Sequence, residues 1–165
     1  MTVETESGSV GAPASGLARV VADAFMLRSQ VEMALWRVGG ASADTREVLD
    51  RLRLFLDEFI QAMVMRIQIL GGNPPGSFAE LRALCSVAEP GDGALPLLIA
   101  VLAGECGTLR EGCRMIAMLA RECSDDTTSD ILSPPVAALE EASWRLAGLS
   151  NRLSPLRPSR PAQRS

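Results

Sequence analysis

The chain has 165 residues, of which 47% are apolar and 22% are charged, a composition typical of one globular domain with a substantial core. Aromatic residues make up only 4%, which argues against an all-β sandwich or barrel. The chain contains neither histidine nor lysine, since all sixteen basic residues are arginines. This excludes histidine-dependent nucleophiles, histidine-containing zinc sites, Schiff-base lysines and the lysine of phosphate-binding loops.

The sequence shows no sign of export or membrane insertion. The first sixteen residues include Glu4 and Glu6 and have neither a basic start nor an apolar segment. The longest apolar stretch, residues 95–103, is far shorter than the ~18–20 residues of a membrane span. The cysteines form no CxxC pair, so we expect reduced thiols and a cytoplasmic location.

Two long helices are predicted in the first half of the chain. Apolar residues recur every three or four positions over 17–38, and Gly39 ends this first helix. Asp44, with Glu47 three residues later, resembles a capping box and begins a second helix over about 45–70. The apolar stripe of this second helix is broad enough to imply burial on more than one side.

The second half predicts a short helix and two more long ones. The short helix covers about 77–86, the third long helix about 94–122 and the fourth about 127–148. Pro134 and Pro135 lie within the fourth helix and should bend it or delay its start. The connection between the second and third long helices can cross a bundle, so the predicted fold is an all-α four-helix bundle.

The chain divides into a body and two polar ends. Residues 1–15 are expected to be a flexible acidic leader, residues 16–149 the bundle and residues 150–165 a basic tail rich in proline. Residues 1–150 carry a formal net charge of −8, whereas the last fifteen residues carry +4. The arginines of the tail are the candidate nucleic-acid contacts: Arg152, Arg157, Arg160 and Arg164.

Four segments resemble, in the same order and at the same spacing, motifs of the Dps-type mini-ferritins (DNA-binding proteins from starved cells). They are LWRVGG (35–40), RIQILGGNPPGS (66–77), SDDTTSDIL (124–132) and EEASWRL (140–146). The resemblance covers roughly residues 20–147. It implies a ferritin-like four-helix bundle with a small helix in the long connection, assembled into a hollow homo-oligomeric shell of twelve subunits.

The resemblance also locates the family's iron-oxidising site, which two subunits share. Its ligand positions fall on Leu35, Arg46 and Asp50 of one subunit and on Gln61 and Met65 of the other. Both histidines and both carboxylates of the neighbour are thus replaced, and only Asp50 keeps a ligand type that iron prefers. We therefore expect no ferroxidase activity and no required cofactor, with an Arg46–Asp50 ion pair in place of the metal.

Asp57, Glu58 and Gln61 follow Asp50 on successive turns of the second helix. They could form a relocated site of oxygen ligands. Arg53 lies among them, however, and an arginine-paired, solvated helix face is the favoured interpretation.

Two further sets of residues have alternative interpretations. Asp126 and Asp130 match acidic residues that line an iron-entry pore in the family, but an acid in a first helical turn also suits capping and the helix dipole. Both interpretations stay open and are compatible. Cys106 and Cys113 could bind a soft metal ion, but core packing is favoured for them.

The resemblance and the tail together predict a Dps-like stress-protection protein that binds DNA without sequence preference and associates with the nucleoid. For the tail alone, a solubilising role is the alternative. One alternative for the whole protein is iron storage, with iron held by pore and cavity carboxylates. Another is a non-catalytic structural or partner subunit, mixed with a paralogous ferritin-like chain that supplies the missing ligands.

Overall fold

The structure, a computed structural model, describes residues 7–39, 42–88 and 93–154, and these residues form helices and no strand. The helices are α1 (Ser7–Val38), α2 (Ala43–Ile69), α3 (Phe78–Leu84), α4 (Leu95–Glu122) and α5 (Asp126–Leu153). Helix α1 packs against α2 and α4, α4 packs against α5, and α2 meets α5 along a thinner contact. The predicted all-α bundle of four long helices with a short helix in the long connection is confirmed.

The core is one continuous cluster of aliphatic side chains contributed by all four long helices. Each long helix supplies a stripe with a three-to-four-residue spacing, as Leu17, Leu27 and Val31 do on α1. Within the three described ranges, no helix is both long enough and apolar enough to cross a membrane. The apolar stripes of the sequence therefore serve packing between helices.

Helix α1 begins at Ser7, ten residues before the predicted start, and includes Pro13. The early start has a packing reason, since both Pro13 and Ala14 are buried. A Cβ atom on Gly72 would lie 2.9 Å from the Ala14 Cβ, so the loop after α2 packs closely against this first part of α1. Residues 1–6 of the predicted leader lie outside the described residues.

Both ends of α2 are fixed by local backbone geometry. The N-cap is Ser42, whose hydroxyl accepts a hydrogen bond from the Thr45 amide at 3.3 Å, so the capping box predicted at Asp44 is wrong. The helix ends before Gly71, which has a φ of 75°. Glycine adopts this left-handed conformation without the steric cost that a Cβ brings.

Helix α5 begins at Asp126 and runs through both prolines, so the expected delay in its start is wrong. Pro134 and Pro135 have no amide hydrogen to donate to the carbonyls of Asp130 and Ile131. Both of these residues are exposed, so solvent can satisfy the two carbonyls that lose their helical donors.

The same helix extends five residues beyond its predicted end at 148, to Leu153. Leu149 and Ser150 are buried, and the Ser150 hydroxyl donates to the Pro96 carbonyl of α4 at 2.8 Å. This contact holds the last turns of α5 against the beginning of α4. The described helix therefore includes the first residues of the predicted basic tail.

Candidate functional site

The first position at which the resemblance puts a metal ligand, Leu35, belongs to the core. Leu35 lies in the last turn of α1 and is only 7% exposed, within the apolar cluster. A leucine side chain has no atom that can coordinate a metal ion. The adjacent Trp36 is exposed instead, so the motif that carries the resemblance presents an indole and no imidazole to the surface.

The expected ion pair between Arg46 and Asp50 is not formed. The Arg46 guanidinium donates through Nη2 to the carbonyl of Gly39, at 3.1 Å, and so bridges the α1–α2 connection. The nearest cation to Asp50 is Arg53, with 3.7 Å between Arg53 Nε and Asp50 Oδ1. The spacing allowed the pair, but Arg46 lies at the start of α2, where an accepting carbonyl of the preceding loop is within reach.

A network of half-buried ion pairs joins α1 to α2 beside these positions. Arg53 lies 3.9 Å from Glu32, 3.7 Å from Asp50 and 3.8 Å from Asp57. Arg28 of α1 also contacts Asp57, at 2.9 Å. No group of three or more carboxylate or thiol side chains in the described ranges is arranged to hold a metal ion. The contacts agree with the arginine-paired interpretation of this helix face.

Gln61 and Met65 lie on the exposed face of α2, where the resemblance puts the neighbour's ligands. Met65 is 62% exposed. Leu54 and Ile69 are exposed on the same face, which gives the outer side of α2 an apolar stripe. Of the five positions at which the resemblance puts metal ligands, only Asp50 and Gln61 carry an oxygen donor, and this donor set does not fit an iron site.

The opposite end of α2 carries a tightly bonded polar cluster. Arg66 Nη2 lies 2.6 Å from Asp125 Oδ1, and Arg66 Nε donates to the Thr128 hydroxyl at 2.8 Å. Asp125 is the N-cap of α5, since it accepts from the Thr128 amide at 3.0 Å and also from the Thr128 hydroxyl. Ser124, which precedes Asp125, has a φ of 59° and is therefore a left-handed turn residue. We call Arg66, Asp125 and Thr128 the α2–α5 clamp.

The electrostatics of the clamp favour the ionised carboxylate. Burial alone would raise the pKa of Asp125, because a charged group loses hydration there. The hydrogen bonds from Thr128, together with the hydrogen bond and charge of Arg66, outweigh burial and hold this pKa below its ordinary value. Asp125 thus has a structural role, as the ionised carboxylate that caps α5 and pairs with Arg66.

The two predicted pore residues, Asp126 and Asp130, remain available to interact with a cation. Asp126 and Asp130 are exposed in the first turns of α5 and make no ion pair within the described part of the chain. Their spacing puts both carboxylates on one face of the helix. The capping role that the sequence left open belongs to Asp125, so neither exposed acid is needed for it.

The cysteines of α4 are packing residues. Cys106 and Cys113 are fully buried in the core cluster, and burial raises the pKa of each thiol to about 12. Met115 and Met118, which could have completed a soft metal site, are exposed on a different face. The structure does not bring these four residues together.

Sequence reasoning missed a polar cluster that fixes the connection before α4. Asp23 is 5% exposed and accepts from the Ser86 amide at 2.5 Å, while Gln30 donates to the Ala88 carbonyl at 2.7 Å. Glu105 of α4 accepts from the Ala88 amide at 3.3 Å, and burial raises its pKa. The signal was a carboxylate inside the apolar stripe of α1, which must find donors when buried.

The arginine tail is only partly described. Arg152 lies exposed in the last turn of α5, so this residue belongs to the helix. Arg157, Arg160 and Arg164 lie outside the described residues.

Comparison with known proteins gives structural matches alone. No protein-family model matches the sequence, and no curated protein matches it. The fold is similar to an archaeal Dps homologue from Halobacterium salinarum, with 22% identity and a TM-score of 0.81, over 90% of this chain and 84% of that one. A Dps protein from Bacillus brevis gives the same identity and TM-score over 88% and 99% of the two chains.

A Dps protein from Vibrio cholerae O1, described as a member of a broad superfamily of ferritin-like diiron-carboxylate proteins, is also similar. It shares 19% identity with a TM-score of 0.80, over 90% of this chain and 95% of that one. The fold that the sequence motifs predicted is thereby confirmed. The chain has the fold of the Dps proteins.

Proposed function

We propose that this chain is a Dps-like, shell-forming protein of stress protection that associates with DNA through its arginine tail and has lost ferroxidase chemistry. The observation that carries the proposal is which residues occupy the five ligand positions implied by the resemblance, on a chain that has the Dps fold. Leu35 is in the core, Arg46 bonds a loop carbonyl and Asp50 faces Arg53. A metal cation would meet one carboxylate and two nearby guanidinium groups at this place.

Self-association is supported by the outer surface of the bundle. Several large apolar side chains are exposed, and most are exposed by more than half: Met65, Ile69, Leu97, Met115 and Met118. On α2, Leu54, Met65 and Ile69 form an exposed apolar stripe, and an exposed apolar patch of this kind is a mark of a protein–protein interface. A homo-oligomer, with twelve subunits as the resemblance implies, would cover it.

DNA association is supported by the charge asymmetry of the chain. The body is acidic and the tail holds arginines without any acid, so contacts to phosphate would be confined to the tail. A single tail makes few contacts. Many tails displayed on one shell would bind together, and linked weak contacts multiply in affinity.

The DNA hypothesis is tested by gel retardation with charge-matched variants. The tail variant replaces Arg157, Arg160 and Arg164 by Gln, and the control replaces the exposed body residues Arg19, Arg114 and Arg121 by Gln. We expect the tail variant to lose retardation and the control to keep it. The log–log dependence of affinity on salt should flatten by about one for each phosphate contact removed. An equal loss of retardation in both variants would show that DNA binding depends on the overall charge of the protein and not on contacts made by the tail.

The loss of the metal site is tested by calorimetric titration with Fe(II) and Zn(II). The natural chain should show no tight stoichiometric binding, because the donor set is incomplete. A restored variant, Leu35→His, Arg46→His, Gln61→Asp and Met65→Glu, should bind, provided that its circular dichroism matches the parent. Tight binding by the natural chain that Asp50→Ala abolishes would contradict the proposal.

Iron storage is the second candidate function, because Asp126 and Asp130 are exposed on one helix face while Asp125 bears the structural role. Three copies of such a carboxylate pair around a pore would attract cations. The test is the iron retained per protein after addition of Fe(II) and peroxide. Asp126→Asn with Asp130→Asn should lower retention, whereas the exposed controls Glu111→Gln with Glu140→Gln should not. No retained iron in the parent would reject this candidate.

A further inference from the structure

A continuous cleft runs between the first half of α2 and the last half of α5, where these helices make their thin contact. Two adjoining cavities, of about 200 Å³ and about 630 Å³, form it and share Val48, Arg51 and Arg145. We call this feature the α2–α5 cleft. Its narrow part is lined by apolar residues such as Leu52 and Phe55, and its wide part opens beside Arg152.

The wide part of the cleft presents an exposed aromatic ring. Trp144 lines it and is 80% exposed, the largest exposed fraction among the large apolar residues that the structure describes. Three carboxylates and three guanidinium groups line the whole cleft, so its charges balance. Glu47 pairs with Arg51 at 2.6 Å and Glu141 with Arg145 at 2.5 Å. An occupant of this cleft is therefore selected mainly by apolar and aromatic contact.

The residues that follow Ser154 have a matching pattern. The sequence PLRPSRP (155–161) contains two overlapping P-x-x-P units, with prolines at 155, 158 and 161. A polyproline II helix has three residues per turn, so prolines spaced by three would share one face. Arg157 and Arg160, also spaced by three, would share another. Proline-rich segments of this type bind grooves lined by aromatic side chains.

The end of α5, from which this segment continues, lies beside the cleft. Helix α5 ends at Leu153, next to the wide part of the cleft, where Arg152 lines the wall. Along α5 the cleft extends from Arg152 to Ala138, which is about 21 Å at the rise of an α-helix. The seven residues from 155 to 161 span about 22 Å as a polyproline II helix, so a segment that turns back at Ser154 can cover the length of the cleft and reach its narrow part.

We propose that the α2–α5 cleft is the docking groove for residues 155–161 of the same chain, with the prolines against Trp144 and towards Phe55. The arginine face of the segment then points away from the cleft. Among the carboxylates that line the cleft, Asp44 alone forms no ion pair within the described ranges. Docking depends on proline and tryptophan, whereas DNA association depends on arginine, so either can fail without the other.

Acrylamide quenching of tryptophan fluorescence tests the proposal on the full chain. In a Trp36→Phe background, Trp144 is the only tryptophan that remains. Replacing Pro155, Pro158 and Pro161 by Ala should raise the quenching constant of Trp144 by about two-fold, because a docked segment covers much of an indole. The arginine variant Arg157→Gln with Arg160→Gln should leave quenching unchanged, and added salt should change it little.

Two results would overturn the docking. If Trp144 is quenched equally and freely in the parent and the proline variant, the cleft is empty. If Trp144 is equally protected in both, and also in a chain that stops at Ser154, a second copy or another partner covers it. Loss of DNA retardation in the arginine variant with protected Trp144 would support both proposals separately.

Discussion

The two ends of α2 hold their charges in opposite ways. At its C-terminal end, one arginine, Arg66, is matched by one carboxylate and one hydroxyl, and the side chains of Arg66 and Asp125 are only 13% and 14% exposed. In its first half, Arg53 lies 3.7–3.9 Å from each of three carboxylates. The first arrangement has short, directed hydrogen bonds, whereas Arg53 makes none at its distances, and the one short contact of its network is that of Arg28 with Asp57 at 2.9 Å.

The difference shows where the fold tolerates change. A buried charge with a single set of partners is costly to disturb, because its removal leaves the partners unpaired in a poorly hydrated place. Half-exposed charges in a loose network are screened by solvent and can exchange partners. On the resemblance, the ligand positions of Arg46 and Asp50 lie at the loose end, so these two could be changed while the clamp that orients α5 was kept.

The largest effect is expected at the clamp. Arg66→Met removes the cation from Asp125 and the donor from Thr128, which should lower the free energy of unfolding by about 3 kcal/mol. Urea denaturation measures it, and Arg66→Lys, which keeps the charge without the two-pronged donor geometry, should lose less. A cost below that of the Arg53 variant described below would show that the comparison is reversed.

Lowering the pH should weaken the same clamp, because Asp125 becomes protonated. Its pKa is lower in the folded chain than its ordinary value of 3.8, so the ionised carboxylate stabilises the fold fully above that value. This contribution is lost as the pH falls through the lowered pKa. Urea denaturation from pH 7 to pH 2 should therefore be less acid-sensitive in Asp125→Asn than in the parent. Identical pH dependence would mean that folding does not lower the pKa of Asp125.

The loose network should respond weakly. Arg53→Met removes one partner from three carboxylates, but all of these groups are partly solvated, so we expect a loss of about 0.5 kcal/mol. The same urea experiment measures it, and high salt should remove most of the difference. A loss close to that of Arg66→Met would show that this end of α2 is also fixed by its charges.

The smallest effect concerns the turn that feeds the clamp. Ser124 has a positive φ, which glycine adopts more easily, so Ser124→Gly should stabilise the chain by roughly half a kcal/mol after the entropy of glycine is counted. Thermal unfolding measures the gain, and Ser124→Ala provides the control without that freedom. Destabilisation by Ser124→Gly would show that the serine side chain has a role in the turn.

Patterns of apolar residues predicted the bundle well because burial follows spacing directly. The stripe on α1 and the stop before Gly71 needed no partner to be recognised. Partner choice among polar groups was less predictable. Arg46 was expected to pair within its own helix, yet it bonds the carbonyl of Gly39, which only the loop geometry brings close.

Helix ends gave the same lesson. Helix α1 starts earlier than its strong apolar repeat because Ala14 contacts the loop around Gly72. Helix α5 passes Pro134 and Pro135 because the residues whose carbonyls lose donors, Asp130 and Ile131, are exposed to solvent. Both outcomes depend on the surroundings of a residue, which spacing along the chain does not record.

By itself, the sequence determined that this chain is a four-helix bundle and that Leu35, Arg46, Gln61 and Met65 stand where the resemblance puts metal ligands, because residue identity and periodicity are local properties. The tertiary structure decided which charges are committed to the fold. In the folded chain Arg66 pairs with Asp125, Asp126 and Asp130 stay exposed, and the α2–α5 cleft lies open beside Trp144. Hydrogen bonds and exposure depend on distances between elements, and those are set only when the helices pack.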